Sequence, residues 1–365
     1  ISKVDHFFYE KFGSYKTTKI LENIKEAQII FSCINEGEKK ETLIRFVGGC
    51  VRKSIYGENI DDIDLATLLK PEEIKNKLAE KGIKVIDTGI SHGTVTAILK
   101  NKKFEITTLR KDILTDGRHA SVDFTSNWEE DASRRDFTIN AIYADIEGRI
   151  FDPQKGILDL EKGKIQFIGL PEKRIQEDYL RILRYFRFFV QYSKNDYDPE
   201  IIRIIRKNIN GINKISNERI LSELEKILVL KNIYNLFSND LSKEILINVF
   251  PQFKYYERLK KLNNLNDNLR KKYDKYLILS LLIIDETSEY EYFCHKYKTS
   301  NNIKNRFKNI SMNYNNLKNK RFYSESNLKK LIYLTNKDYV RDLLLFVGCS
   351  ENKIKNLDIE KLIDF

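Results

Sequence analysis

Two aspartates, Asp62 and Asp64, stand one residue apart at the start of a short apolar run, "DDIDLAT". Side chains two apart on a β-strand project from one face, so both carboxylates can address the same hard cation. Magnesium takes near-octahedral oxygen coordination and completes it with waters and substrate phosphates, so two carboxylates from one strand suffice to recruit it. Upstream, Gly48 and Gly49 end another apolar run in "FVGGCVRKSIYG". Glycines there let backbone N–H groups approach a phosphate, and a helix starting near Val51 adds its positive end. Arg52 lies one turn inside that helix, placed to pair with a triphosphate. Together these residues describe a nucleotidyl-transfer site. Taken singly, the glycines also read as a tight turn and the aspartates as a solvated strand edge.

Three further stretches add candidates. Glu105 in "FEITTLR" either completes a two-metal arrangement that activates the attacking hydroxyl and steadies the pyrophosphate, or pairs structurally with Arg110. In "RRDFTINA", Arg135, Asp136 and Asn140 alternate with Phe137 and Ile139, as when one face packs and the other binds. Asp136 and Asn140 suit ribose hydroxyls, and Arg134 or Arg135 suits phosphate; in isolation the stretch reads as an ordinary helix start. In "EDYLR", Asp178 and Arg181 stand at i and i+3 on a helix, hence on one face. Asp accepts from the amino group of cytosine or adenine while Arg donates to the ring nitrogen. Guanine and uracil present the reverse order and would be rejected from a closed pocket. The alternative is an intrahelical salt bridge worth about 0.2–0.5 kcal/mol.

The elements that must hold these groups follow from periodicity. Residues 1 to about 40 read as helical, ending in "TTKILENIKEAQIIFSCINEG". From Leu43 to about Ile168 short strands dominate, including "IKVIDTG" and "GKIQFIG", with "LKNKKFE" and "ADIEGRIF" as hairpins, so the sheet is at least partly antiparallel. Helices are expected at "VRKSIYG" and at "KPEEIKNKLAEKG", the latter closed by Gly82. After Pro171 the pattern turns helical. "RIQEDYLRILRYFRFFVQY" carries an apolar stripe of Tyr179, Ile182, Leu183, Phe186 and Val190, and Ser216 is a plausible N-cap for "NERILSELEKIL". The layout is a strand-rich α+β head with a mixed or antiparallel sheet, followed by an all-α remainder. We place the head at residues 1–168, a helical neck with the base-selecting helix at 169–230, and a helical body and tail at 231–365.

Composition narrows the class. A chain of 365 residues with 41% hydrophobic and 12% aromatic content can bury two or three cores. The longest apolar run, Tyr276 to Ile284, is too short to span a bilayer, and no signal or transit segment opens the chain, so a cytoplasmic location is expected without membrane association. Cys33, Cys50, Cys294 and Cys349, like the four histidines, are scattered, which points to neither a zinc site nor a disulfide framework and leaves carboxylates to hold any metal. The net charge is +11, of which +9 falls between Lys231 and Phe365, where 25 Lys and Arg face 16 Asp and Glu. That is either a solvated lysine-rich surface or a footprint for a polyanion, and the interleaved Tyr and Phe of "PQFKYYERLKK" and "NRFKN" favour RNA.

The stretches "FVGGCVRKSIYGENIDDIDLAT", "HGTVTAILKNKKFEITTLRKDILTDGRHASVDFT", "RRDFTINAIYADIEGRIFDPQKGILDL", "RIQEDYLRILRYFRF" and "SNERILSELEKIL" together resemble class II tRNA nucleotidyltransferases, the CCA-adding enzymes of the polymerase beta-like superfamily. The resemblance covers roughly residues 43 to 230 and fades beyond. It implies an elongated, mostly helical molecule of head, neck, body and tail that uses CTP, ATP and Mg2+ (two-metal) to add C, C and A to the 3′ end of tRNA, held by its acceptor arm. By position it implies that Asp62 and Asp64 hold the metals and that Gly48, Gly49 and Arg52 meet the triphosphate. Arg135, Asp136 and Asn140 would contact the ribose, and Glu177, Asp178 and Arg181 would form an amino-acid template that selects C, then A. "KDILTDGRHASVDF" falls where the family has a loop needed for the switch to A, and "SNERILSELE" where an element buttresses the neck. One departure is Lys53, where the family usually has Asp after the arginine. Rivals are a bacterial poly(A) polymerase, in which proline and "RMLR" would be expected in place of Tyr179 and "RILR", and an A-adding or CC-adding specialist. A catalytically dead RNA-binding relative should have lost Asp62, Asp64 or the template pair, and all are present.

Overall fold

The computed structural model describes residues 24–37, 42–112 and 122–350. Most of the loop expected to switch nucleotides, and most of the N-terminal helical region, therefore lie outside the described residues. The chain divides into two compact units, with the boundary after Arg174; Ser193–Asn195 return to the first unit.

In the first unit, helix α1 (Lys25–Ile34) precedes a seven-stranded sheet. Its strands are β1 (Ile44–Val47), β2 (Ile63–Thr67), β3 (Lys84–Gly89), β4 (Thr94–Leu99), β5 (Lys102–Thr108), β8 (Tyr143–Ala144) and β9 (Ile150–Phe151). Their order is β3-β4-β5-β2-β1-β8-β9, and β6 (Arg110–Asp112) with β7 (Val122–Phe124) forms a separate pair. Among the described residues only β2 and β5 run parallel, and every other pairing in the sheet is antiparallel. Both expected hairpins form, joining β4 to β5 and β8 to β9. "GKIQFIG" is not a strand: it contributes one isolated bridge, Phe137 to Phe167, because the segment opposite it turns at once into a short 3-10 helix.

Alternation sorts the two faces of the sheet. Ile63, Leu65, Val95, Ala97, Phe104 and Ile106 point into a core with Phe31 of α1, Phe46 of β1, and Ile74 and Leu78 of α3 (Pro71–Glu80). Burying each of these large side chains stabilises the fold by about 1.5–3 kcal/mol relative to exposure. Helix α2 (Gly49–Tyr56) links β1 to the loop before β2. On the opposite face, Val47, Ala66, Ala132, Ala141 and Tyr143 form a second, smaller cluster beneath α4 (Trp128–Ser133). On that face Glu105 of β5 is exposed while Ala66 of β2 and Thr96 of β4 are buried, and Asp62, at the entry to β2, is exposed.

Helix α5 (Gly156–Glu161) pins the "RRDFTINA" segment from behind. A Cβ on Gly156 would lie 2.1 Å from the Thr138 carbonyl oxygen, so only glycine permits this approach. Thr138 Oγ1 donates to Asp159 Oδ2 at 2.7 Å. The buried Asp152 carboxylate accepts from the Gly156 and Ile157 amides at 2.8 and 2.9 Å. Burial pushes its carboxyl up to about 6, against the opposing pull of those two amides. The folded value lies above the unfolded one, so this group's contribution to stability is complete below about pH 4 and is lost as pH rises through about 6. We expect Asp152→Asn to remove that fall, on the order of 3 kcal/mol. Melting curves of both proteins from pH 4 to 7 would show the variant gaining on the wild type as pH rises; parallel profiles would contradict this.

The second unit is helical throughout its described residues. Helix α6 (Pro171–Glu177), which contains the unit boundary, and helix α7 (Leu180–Tyr192) replace the single helix expected over "RIQEDYLRILRYFRFFVQY", with a break at Asp178-Tyr179. Ile182, Leu183 and Phe186 are fully buried as the stripe predicts, while Tyr179 and Val190 are half-buried. Helix α8 (Pro199–Asn208) leads to α9 (Asn217–Leu228), which Ser216 caps as expected, its hydroxyl accepting from the Arg219 amide at 3.4 Å. The buried pair Arg187–Glu223, at 2.5 Å, ties α7 to α9. The long apolar run forms α10 (Lys275–Ile283), buried on all sides, which is why it shows no amphipathic period. No helix among the described residues is long and apolar enough to cross a membrane.

Candidate active site

The turn after β1 is built as the glycine pair requires. Gly48 adopts φ +69, its amide donates to Ile142 O at 3.1 Å, and α2 begins at Gly49. A Cβ on Gly48 would stand 3.4 Å from the Asn140 carbonyl oxygen, whereas one on Gly49 would meet nothing within 4 Å. The backbone at the start of α2 is thus open to an incoming anion.

Register places the acids. Asp64 is the Cα partner of Glu105 across the parallel β2–β5 pair, and Glu105 is the partner of Thr96 on β4. Asp62 immediately precedes β2, two residues before Asp64, and continuation of the strand's alternation would bring it to the face of Asp64. Asp62 and Glu105 are exposed and Asp64 is half-buried. Glu105 forms no ion pair among the described residues; Arg110 Nη1 donates instead to the His92 carbonyl oxygen. No three His, Cys, Asp or Glu side chains among the described residues converge closely enough to hold a metal by themselves. A pair of carboxylates, Asp62 and Asp64, suits a hard cation that completes its coordination with water and substrate phosphate. Lys53, the departure from the resembled motif, pairs with Asp61 at 3.0 Å, linking α2 to the loop before β2.

"RRDFTINA" is neither a helix start nor a strand with one free polar face. Phe137 is extended, Thr138–Asn140 form a 3-10 turn, and Phe137 and Ile139 are buried as expected. Asp136 and Asn140 are buried as well, at 8% and 7% exposure, because they satisfy each other: Asn140 Nδ2 donates to Asp136 Oδ1 at 2.8 Å, and Asn140 Oδ1 accepts from Arg52 Nη1. Arg52, Asn140 and Asp136 therefore form one internal network behind the glycine turn. Arg135 sits beside that turn, its Nη1 3.8 Å from where a Gly48 Cβ would be.

Two residues that the motif reading passed over hold Arg135. Its Nη2 donates to Asp131 Oδ2 at 2.9 Å and its Nε to the Tyr143 hydroxyl at 3.0 Å. The buried Asp131 also accepts from Arg134 Nε at 2.8 Å and from the Tyr143 hydroxyl at 2.7 Å. Burial alone would raise its carboxyl, but the Arg135 and Arg134 guanidiniums outweigh it and hold the group well below the usual carboxylate range. The available signal was spacing: Asp131 precedes the two arginines by three and four residues in "DASRR".

In the second unit, the expected Asp178–Arg181 pair does not share a helical face, because Asp178 lies in the break. Its Oδ1 accepts from the Leu180 amide at 3.2 Å, capping α7, and its Oδ2 pairs with Arg219 Nη2 at 2.8 Å. Arg181 Nη1 pairs with Glu177 Oε2 at 2.8 Å. The intrahelical salt bridge is thus replaced by two separate pairs. Tyr179 packs over Gly211, where a Cβ would lie 2.0 Å from its ring.

The chain is similar in sequence and fold to several known proteins. Residues 44–166 match the family described as "Poly A polymerase head domain", and residues 196–257 that described as "Probable RNA and SrmB- binding site of polymerase A". The human protein "CCA tRNA nucleotidyltransferase 1, mitochondrial" is 46% identical over 201 residues, covering 54% of this chain and 46% of that protein. The CCA-adding enzyme of Ligilactobacillus salivarius is 36% identical over 264 residues, covering 71% and 63%. The chain spans about half the length of the vertebrate relatives it matches. In fold it is similar to the Bacillus stearothermophilus CCA-adding enzyme in complex with CTP, with a TM-score of 0.69 and 24% identity over 93% of this chain and 80% of that one. It is also similar to a Thermotoga maritima CCA-adding enzyme complexed with tRNA, with a TM-score of 0.64 and 20% identity over 96% and 84%.

Proposed function

The chain belongs to the class II tRNA nucleotidyltransferases, and from that premise we propose that it adds C, C and A to the 3′ end of tRNA from CTP and ATP, without a nucleic-acid template. The observation that carries this reading is the register of Asp64 on β2, the strand adjoining β1 and its glycine turn, with Glu105 on β5, and the position of Asp62 at the entry to β2. Mg2+ bound by Asp62 and Asp64, with Glu105 as a further ligand, would supply Lewis-acid activation of the attacking hydroxyl and charge neutralisation at the pyrophosphate. Gly48, Gly49 and the first turn of α2 would receive the triphosphate, with the Arg135 guanidinium beside them. Arg52, Asp136 and Asn140 would shape the ribose pocket through their shared network. Glu177, Asp178 and Arg181 would read the base.

Residues 1–168 would act as the catalytic head and 169–230 as the base-selecting neck. Residues 231–365, with their net charge of +9, would contribute tRNA binding through phosphate contacts. Cytoplasmic action belongs to the same reading, in keeping with the bacterial relatives. Relatives named for CCA addition, and Tyr179 where a poly(A) polymerase would carry proline, favour CCA addition over polyadenylation. The test is to incubate the protein with tRNA lacking its last three nucleotides, supply labelled NTPs singly and together, and sequence the ends. Two cytidines followed by one adenosine are expected. Long adenosine tails, or addition that stops at CC or begins only at A, would overturn the reading.

A further inference from the structure

We propose that Asp131 is a positioning residue for nucleotide binding: its buried carboxylate fixes the Arg135 guanidinium so that Nη1 is presented at the glycine turn. This rests on the reading of that turn as the triphosphate site.

The sheet explains why this position requires an acid. Tyr143 is the Cα partner of Val47, the residue immediately before Gly48, so its ring rises from the same sheet face as the acids of β2. Helix α4 lies above, capped by Asn127, and lowers Asp131 onto the Tyr143 hydroxyl at 2.7 Å. Arg135 is clamped between them through Nη2 and Nε, and its guanidinium lies 5.2 Å from the centre of the Tyr143 ring. Nη1 has no partner among the described residues and stands 3.8 Å from where a Gly48 Cβ would be. Asp131 Oδ1 engages Arg134, at 2.8 and 2.7 Å from Nε and Nη2, leaving Oδ2 to Arg135 and Tyr143. An arginine held at two of its three nitrogens has little orientational freedom left to lose when an anion arrives. Removing the acid would free the fork and strand two guanidiniums in a half-buried site.

A double-mutant cycle separates positioning from general structural support. Affinity for CTP and for ATP is measured by equilibrium dialysis on the full chain for wild type, Asp131→Asn, Arg135→Ala and the combined variant, with melting temperatures recorded alongside. We expect Asp131→Asn to weaken both nucleotides by about 10–100-fold, as misplacement of a binding group does. The combined variant should be no weaker than Arg135→Ala alone. Additive losses, or unchanged affinity in a folded Asp131→Asn protein, would overturn the proposal. Should Asp131→Asn fail to fold, the cycle of Tyr143→Phe with Arg135→Ala decides, since it removes only the hydroxyl that joins the two groups: non-additive loss supports the clamp and additive loss refutes it. Binding is read apart from incorporation, so a wild type that binds nucleotide without extending tRNA would sink the parent reading and leave this one standing on its own result.

Discussion

Asp62→Ala is expected to lower incorporation of CMP into truncated tRNA by at least about 10³-fold, equivalent to roughly 4 kcal/mol of lost transition-state stabilisation. The expectation rests on where the side chain sits and on what it does not do. Asp62 is exposed at the entry to β2 and makes no hydrogen bond or ion pair among the described residues, so its removal takes away no structural interaction. A change on a surface of this kind usually alters stability by less than about 0.5 kcal/mol. The anchors of the site, Gly48 to Ile142 and Arg52 to Asn140, lie elsewhere and are untouched. The proposed affinity for tRNA should persist, with the salt dependence expected of phosphate contacts with basic residues. Single-turnover incorporation, gel-shift titration at two salt concentrations and a melting curve measure the three quantities separately. A variant retaining a tenth of the wild-type rate would remove Asp62 from the chemistry, and a variant that had lost tRNA binding or melted early would show the role to be structural.

Local signals in the chain translated directly into structure. The "LKNKKFE" hairpin closes through Lys100 and Asn101, both at positive φ, with Leu99 opposite Lys102. That is the two-residue turn that matches strand twist, and asparagine tolerates it well. The cap at Ser216 and the burial of Ile182, Leu183 and Phe186 were readable for the same reason, since each depends on neighbours within a turn or two. Partnerships between distant residues were not. Nothing in "DDIDLAT" or "FEITTLR" indicates that Asp64 and Glu105 will be register partners in the one parallel pair of the sheet. Asp136 and Asn140 have the composition of a binding face, yet they lie inside, because Arg52 arrives from a helix 88 residues before Asn140 to complete their hydrogen bonds. Apolar periodicity runs unbroken through "EDYLRILR", but Asp178 exchanges a helical backbone for capping α7 and pairing with Arg219, 41 residues on.

That break gives the second large prediction its geometry. Arg181→Ala is expected to reduce the preference for CTP and ATP over UTP and GTP by about 10–100-fold, or roughly 1.4–2.7 kcal/mol, the range for losing a hydrogen bond from a charged donor in a closed site. Arg181 is 12% exposed in its side chain and is steadied by Glu177 from the last turn of α6, while Asp178 is steadied by Arg219 and the Leu180 amide. Each of the two proposed base readers thus carries its own brace, so removing the arginine leaves the acid in place. In the proposed role the acid alone would still accept from the amino group of C or A, but nothing would then penalise a base whose ring nitrogen bears a proton. Selectivity should fall more than rate with the favoured nucleotides. Arg181→Lys separates charge from shape: it restores the charge without the planar fork, and should recover binding while leaving discrimination impaired. Incorporation of each of the four nucleotides, measured as kcat/KM on tRNA ending before the first C, reads both effects. Undiminished rejection of UTP and GTP by a folded Arg181→Ala protein would move base selection elsewhere, and Glu177 and Asp178 would then be left as the structural hinge between α6 and α7.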